Sequence, residues 1–178
     1  MLQPKISNLQ GVPVVISQGD PYQLGFQHGK AAGNRVKKSV ELMLLLCKDK
    51  VGLEKEACLD LAQHFVPNVK KYNKDYLTEL QGIADGAGLS FEELMFLNAR
   101  TEILKLSNNR KKDGSISLAE TGCTSIAVTG EVTTTGHTYA GQSWDNIQAC
   151  QDTLIAHLIL PEGNKPAVFY VGEAGIIA

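Results

Sequence analysis

The chain has 178 residues, enough for one domain with a buried core, and its 43% hydrophobic and 20% charged content is that of an ordinary soluble globular protein. Seventeen Lys and Arg against nineteen Asp and Glu leave a net charge of −2, which excludes a strong field directed at nucleic acid or an anionic membrane. No run approaches the roughly 20 apolar residues of a membrane span, and the opening MLQPKISNLQ lacks the basic and apolar segments of a signal peptide, so an intracellular protein is expected.

A short extended run, Val12 to Ser17, comes first. Asp20-Pro21 then reads as a helix N-cap with proline at the first helical position. Val36, Val40, Met43, Leu44 and Leu46 recur at helical spacing and carry that helix to about Lys50. Gly25, Gly29 and Gly33 weaken its first half, but their four-residue interval makes a smooth face for close packing. A second helix is predicted from Leu53 to about His64. A third begins near Pro67, uses Val69, Tyr72, Tyr76, Leu80 and Ile83, and ends at Gly86 or Gly88. Ser90-Phe91-Glu92-Glu93 is a capping box that starts a fourth helix, running to about Leu104.

From Lys105 to Thr121 the periodicity dissolves into KLSNNRKKDGSISLAET, an exposed connection. Alternation resumes at Cys123, and Thr135-Gly136-His137 turns the chain into a second strand, Thr138 to Ser143, making a hairpin. Thr153 to Leu160 and Ala167 to Val171 are two further strands, split by Pro161-Glu162-Gly163-Asn164. Helices followed by an antiparallel meander predict an α+β fold with the helices segregated from the sheet. The chain ends on Gly172-Glu173-Ala174-Gly175-Ile176-Ile177-Ala178, straight after an apolar strand. A four-stranded sheet with an open edge is a liability, so a truncated product is expected.

Four cysteines, Cys47, Cys58, Cys123 and Cys150, show neither CxxC pairing nor metal-ligand spacing and read as free thiols, with no metal site expected. Cys123 stands apart because it opens a strand after a flexible loop and follows Gly122, which lets the backbone bend sharply around it. Local spacing leaves two readings open: a small buried residue, or a nucleophile presented at a sheet edge.

Several stretches, in order, resemble one family. Gln18-Gly19-Asp20-Pro21-Tyr22, Gly25, His28-Gly29, Gln81-Gly82-Ile83-Ala84 and Leu97-Asn98-Ala99-Arg100-Thr101-Glu102 come first. Gly122-Cys123-Thr124-Ser125, Gly141-Gln142-Ser143-Trp144-Asp145 and Glu173-Ala174-Gly175-Ile176-Ile177 follow. The chain is similar in these to the acyl-CoA:6-aminopenicillanate (isopenicillin N) acyltransferase family, the C45 peptidases, within the N-terminal nucleophile hydrolases.

The resemblance implies the first half of an αββα sandwich. Residues 1–122 would be a mainly helical pro-segment resembling an α subunit, and 123–178 the start of a β-subunit-like antiparallel sheet. It further implies self-cleavage between Gly122 and Cys123. The freed α-amine, with an ordinary pKa of roughly 7.7–8.0, would then act as general base for its own thiol, so that no histidine is required. An acyl-enzyme on Cys123 would pass its acyl group to water or to an amine. Asp145 would hold and orient the α-amine. Gln142, Trp144, Arg100, Glu102 and Glu173 are candidate pocket residues, although Arg100 and Glu102, two apart on one helix, do not face each other. His28 is expected to serve helix packing.

No cofactor is expected, acyl-CoA entering as a possible acyl donor. The partners would be a small-molecule acyl donor, an amine or water acceptor, and the two cleavage products as a heterodimer, with no nucleic acid and no membrane. In the family an oxyanion-hole asparagine and much of the pocket come after the point where this chain ends. A cytoplasmic or peroxisomal location follows, with the targeting signal unread. Two alternatives stand beside this reading: an unprocessed Cys–His hydrolase pairing Cys123 with His137 or His157, and a truncated, non-catalytic member of the fold acting as a binding or scaffold protein.

Overall fold

The computed structural model describes residues 7–9, 11–108, 123–144 and 147–177. They form two compact units, one from the residues up to 108 together with 149–177, the other from 123–148. The connection predicted after Lys105 lies from residue 109 onward outside the described residues, as do Gly122, Asp145 and Ala178.

In the first unit β1 (Ser7–Leu9) and β2 (Val12–Gly19) precede α1 (Pro21–Val51). Asp20 caps α1 as expected: its carboxylate accepts from Gln23 N at 2.8 Å, and the Gln23 side chain accepts from Asp20 N at 3.1 Å. This satisfies two backbone N–H groups that the first helical turn leaves without partners. Helix α2 (Lys55–Gln63) follows. The third predicted helix is two, α3 (Val66–Tyr72) and α4 (Lys74–Ala87). The break is at Asn73, which is extended (φ −159°, ψ 113°) and whose side chain accepts from Asp75 N at 3.0 Å. An Asn offers its backbone this local alternative to the helical hydrogen bond, and here it caps a new helix. Helix α5 (Phe91–Asn108) starts from the predicted capping box, with Glu93 N donating to Ser90 Oγ at 3.2 Å and Ser90 N to the Glu93 carboxylate at 2.9 Å.

Helices α1 and α4 cross at backbone contact. A Cβ on Gly25 or Gly29 would collide with the carbonyl oxygens of Glu79 or Ile83, and one on Gly82 or Gly86 with those of Tyr22 or Phe26. Two glycine pairs thus interlock, one from each helix. Gly33 stands outside the crossing, since its Cβ would lie an ordinary 3.6 Å from Ala87 Cα. The core beneath gathers Val36, Val40 and Met43 of α1, Leu80 and Ile83 of α4, and Leu94, Phe96 and Leu97 of α5, all at most 4% exposed.

β5 (Leu154–Pro161) and β6 (Val168–Glu173) complete this unit. The expected single antiparallel meander is corrected here. The strands form a four-stranded sheet in the order β1-β2-β5-β6, with β2 parallel to β5 (Val15 opposite His157) and the other pairs antiparallel. Parallel pairing needs a long crossover. Here everything between Gly19 and Leu154 supplies it. The α+β class itself holds. No helix among the described residues is long and apolar enough to cross a membrane.

The second unit is the predicted hairpin, β3 (Thr124–Val128) against β4 (Tyr139–Ser143), joined through a 3₁₀ turn at Gly130–Val132. It forms its own two-stranded sheet, and among its described residues every side chain is exposed or half-exposed.

Candidate active site

Cys123 immediately precedes β3 and is exposed, whereas Cys47, Cys58 and Cys150 are buried. Burial pushes the Cys47 thiol up to about 12, with neighbouring Cys58 adding to the rise, and Cys58 is raised by burial as well. These thiols are held in the unreactive, protonated form. In the hairpin Thr124 pairs with Ser143 and Ser125 with Gln142, and Thr124 N donates to Ser143 Oγ at 3.2 Å. Extended by one residue, that register sets Cys123 opposite Trp144. By the two-residue alternation of a strand, Cys123, Ser125, Gln142 and Trp144 then share one face. Three of the sequence's candidates therefore converge at the open end of one hairpin, next to Asp145 in sequence. Gly122 and Asp145 lie outside the described residues.

The remaining candidates belong to the first unit. Arg100 of α5 donates through Nη2 to Glu173 Oε1 at 3.2 Å and through Nη1 to Leu97 O at 3.0 Å, and the Glu173 side chain is 1% exposed. Arg100 and Glu173 are thus brought together as a largely buried ion pair joining α5 to the end of β6. Glu102 points to solvent on the same helix.

Sequence reasoning missed a buried polar network at the turn that follows Glu173. Tyr170 donates its one hydroxyl proton to Ile176 O at 3.1 Å, so at 3.2 Å it accepts from His157 Nδ1–H. This leaves the lone pair of His157 Nε2 for the Ser17 hydroxyl at 2.8 Å. His28, edge-on to His157 with ring centroids 4.7 Å apart, accepts the Gly175 N–H at 3.1 Å. Burial lowers the pKa of His28 well below the ordinary histidine value, with His157 adding to the effect, and burial brings His157 down to about 4. Both rings are neutral near pH 7, as their acceptor roles require.

Asn98 completes the arrangement, its amide donating to Gly175 O at 2.8 Å and accepting from Ile177 N at 3.2 Å. The turn after β6 is therefore clamped by side chains from α1, α5 and β6. Gly175 is needed there, at φ +91° with Leu97 Cδ2 only 2.7 Å from where a Cβ would be. His28 thus meets the turn after β6 and the ring of His157, a role beyond the helix packing expected of it. The signal available in the sequence was the recurrence of polar residues inside buried elements, Ser17, His28, Asn98 and His157, but which of them meet is not encoded locally.

The Cys–His alternative finds no geometric support. His157 is 1% exposed with both ring nitrogens engaged. His137 follows the turn at the closed end of the hairpin, while Cys123 stands at the open end, about 17 Å away along five strand residues.

The chain is similar to the 40 kDa form of acyl-coenzyme A:6-aminopenicillanic-acid-acyltransferase of Emericella nidulans, 29% identical over 163 residues that make up 92% of this chain and 42% of the relative. It is also similar to the beta-alanyl-dopamine/carcinine hydrolase of Drosophila melanogaster, 27% identical over 120 residues, 67% of this chain and 30% of that protein. The chain spans less than half the length of these curated relatives. No family model matches it. The resemblance to the acyl-CoA:6-aminopenicillanate acyltransferase family, carried in the sequence by its motifs, is supported by both relatives.

Proposed function

We propose that this chain is the nucleophile-bearing part of a cysteine N-terminal nucleophile enzyme that transfers or hydrolyses acyl groups of small amides or thioesters. The observation that carries the reading is Cys123 itself: of the four thiols it alone is exposed, and it opens a strand where the family's nucleophile motif falls. The acyltransferase and the amide hydrolase among its relatives both act on acyl bonds to nitrogen, which supports that reaction class.

The first step is self-cleavage. The Cys123 thiolate attacks the Gly122 carbonyl carbon, the peptide nitrogen leaves with a proton as the new α-amine, and water hydrolyses the resulting thioester to a free Gly122 carboxylate. The chain then exists as residues 1–122 associated with 123 onward. In turnover the α-amine takes the thiol proton, the thiolate attacks the acyl donor, and the amine or thiol leaving group departs protonated. Water or an acceptor amine then releases the acyl group. Asp145 orients the ammonium form of Cys123, with Gln142 and Trp144 as walls beside it.

Intact mass spectrometry on the purified chain tests the first step. Expected is a split into 122 and 56 residues from this 178-residue chain, abolished in Cys123→Ala. A split that persists in that variant would sink the autoprocessing step. An unsplit chain whose Cys123 is alkylated no faster than Cys47 would favour the non-catalytic scaffold.

A further inference from the structure

Cys47 and Cys58 are two of the four thiols, and the chemistry proposed for Cys123 uses neither. Both are 0% exposed members of the core, and they come from opposite sides of one helix corner. Helix α1 gives way at Gly52, which takes the left-handed conformation at φ +69°, and Leu53 N donates back to Cys47 O at 3.3 Å. Cys58 lies in the first turn of α2, its N–H donating to Glu54 O at 3.1 Å. On the solvent side of the corner Lys48 Nζ and the Glu54 carboxylate pair at 3.0 Å. On the core side the two cysteines meet, the Cys47 S–H donating to the Cys58 sulfur.

A single buried cysteine is an ordinary small hydrophobe. Two that touch across a helix corner have a covalent alternative, because the sulfurs that would join are already neighbours. Burial raises both thiols, Cys47 to about 12, while the Cys47 S–H opposes the rise at Cys58 by supporting its thiolate. Cys58 is therefore the sulfur that ionises first, and the pair stays reduced and inert toward reagents too large to enter the core. A water-sized oxidant meets no such barrier.

We propose that Cys47 and Cys58 are a redox pair that hydrogen peroxide converts to a disulfide, locking the end of α1 to the first turn of α2. In the first step the Cys58 thiolate attacks one peroxide oxygen, the O–O bond breaks, and Cys58 becomes a sulfenic acid while the departing hydroxide takes up the proton Cys58 lost. In the second the Cys47 sulfur attacks the Cys58 sulfur, the S–O bond breaks, and the hydroxyl leaves as water with the Cys47 proton. Two thiols are oxidised by two electrons in all, and one peroxide is reduced to two waters. The pair is independent of the reading of Cys123, because it is built wholly from α1 and α2.

Peptide mapping tests it on the full chain, treated with hydrogen peroxide in the absence of denaturant, quenched, alkylated in urea and digested with trypsin, which cuts between the two cysteines at Lys48, Lys50 and Lys55. Expected is a peptide pair joining Cys47 to Cys58, lighter by two hydrogen masses than the two reduced peptides and parted by dithiothreitol, with Cys150 recovered as the alkylated thiol. The urea midpoint should rise on oxidation and return on reduction, because the new bond constrains the unfolded chain. In Cys47→Ala/Cys58→Ala peroxide should leave that midpoint unshifted, and the mapping of the parent chain decides the matter even where this variant folds poorly. The proposal is overturned if Cys47 and Cys58 are both recovered as alkylated thiols once Cys123 is fully oxidised, if either is found joined to Cys123 or Cys150 instead, or if their linkage forms only in urea.

Discussion

The two units handle their polar groups in opposite ways. The helical unit buries Ser17, His28, Ser39, Thr153, His157 and Glu173 to within 2% of full burial, holding the network around the β6 turn with hydrogen bonds from several elements. The hairpin leaves Cys123, Ser125, Gln142 and Trp144 exposed, and Ile126, Val132 and Tyr139 are more than half exposed as well. An isolated two-stranded hairpin is marginally stable. Stability therefore resides in the first unit and the proposed chemistry in the second, and substitutions in each should be read out by different measurements.

The largest effect that would sharpen this division belongs to the hairpin. Cys123→Ala should abolish the proposed split of the chain into 122 and 56 residues, while leaving the denaturation midpoint of the first unit within error of the parent. A large stability loss in that variant would break the division. The converse holds for the helix crossing. Gly25→Ala places a methyl group against the Glu79 backbone and should cost about 3 kcal/mol in urea unfolding. Gly33→Ala, with 3.6 Å of room, should be neutral or stabilising by up to about 1 kcal/mol through helix propensity.

The buried titratable groups of the first unit give a pH signature. A histidine lowered to about 4 by burial stays neutral in the folded protein while the unfolded chain takes up a proton. Stability is therefore intact above about pH 6.5 and falls as pH drops through the folded value, by on the order of 3 kcal/mol for His157. Burial raises Glu79 to about 7, against the pull of Lys165, and this acts in the opposite sense: the folded protein keeps a proton that the unfolded chain loses, so stability falls as pH rises from about 4.5 through 7. Glu79→Gln should raise the melting temperature at pH 8 and leave it unchanged at pH 4. An equal rise at both would show that packing rather than ionisation is responsible. At the β6 turn, Asn98→Ala strands the Gly175 carbonyl and the Ile177 N–H and should cost about 2 kcal/mol in urea unfolding.

Local signals carried far into the fold. Asp20-Pro21 and Ser90 with Glu93 placed two helix starts, because a cap is a hydrogen bond between residues three apart. The glycine interval on α1 announced close packing, and the matching Gly82 and Gly86 on α4 were equally visible as a second four-residue pair. Asn73 carried a capping side chain that also reads as a helix-interior residue, and the break became visible only with its extended backbone. At the site, Cys123 and its hairpin partners were readable because a two-residue period fixes a face. The pairing of Arg100 with Glu173 joins positions 73 apart, and nothing in the local pattern selects it.

The sequence by itself determined the helix caps, the α+β class, the position of Cys123 at the opening of a strand and the family resemblance, since each depends on residue types at short separations. The tertiary structure alone decided that β2 lies parallel to β5, that His28, His157, Ser17 and Tyr170 share one neutral network, and that Arg100 is committed to Glu173. Those contacts span 13 to 147 residues, and which polar groups must satisfy one another is settled only when burial removes water as a partner.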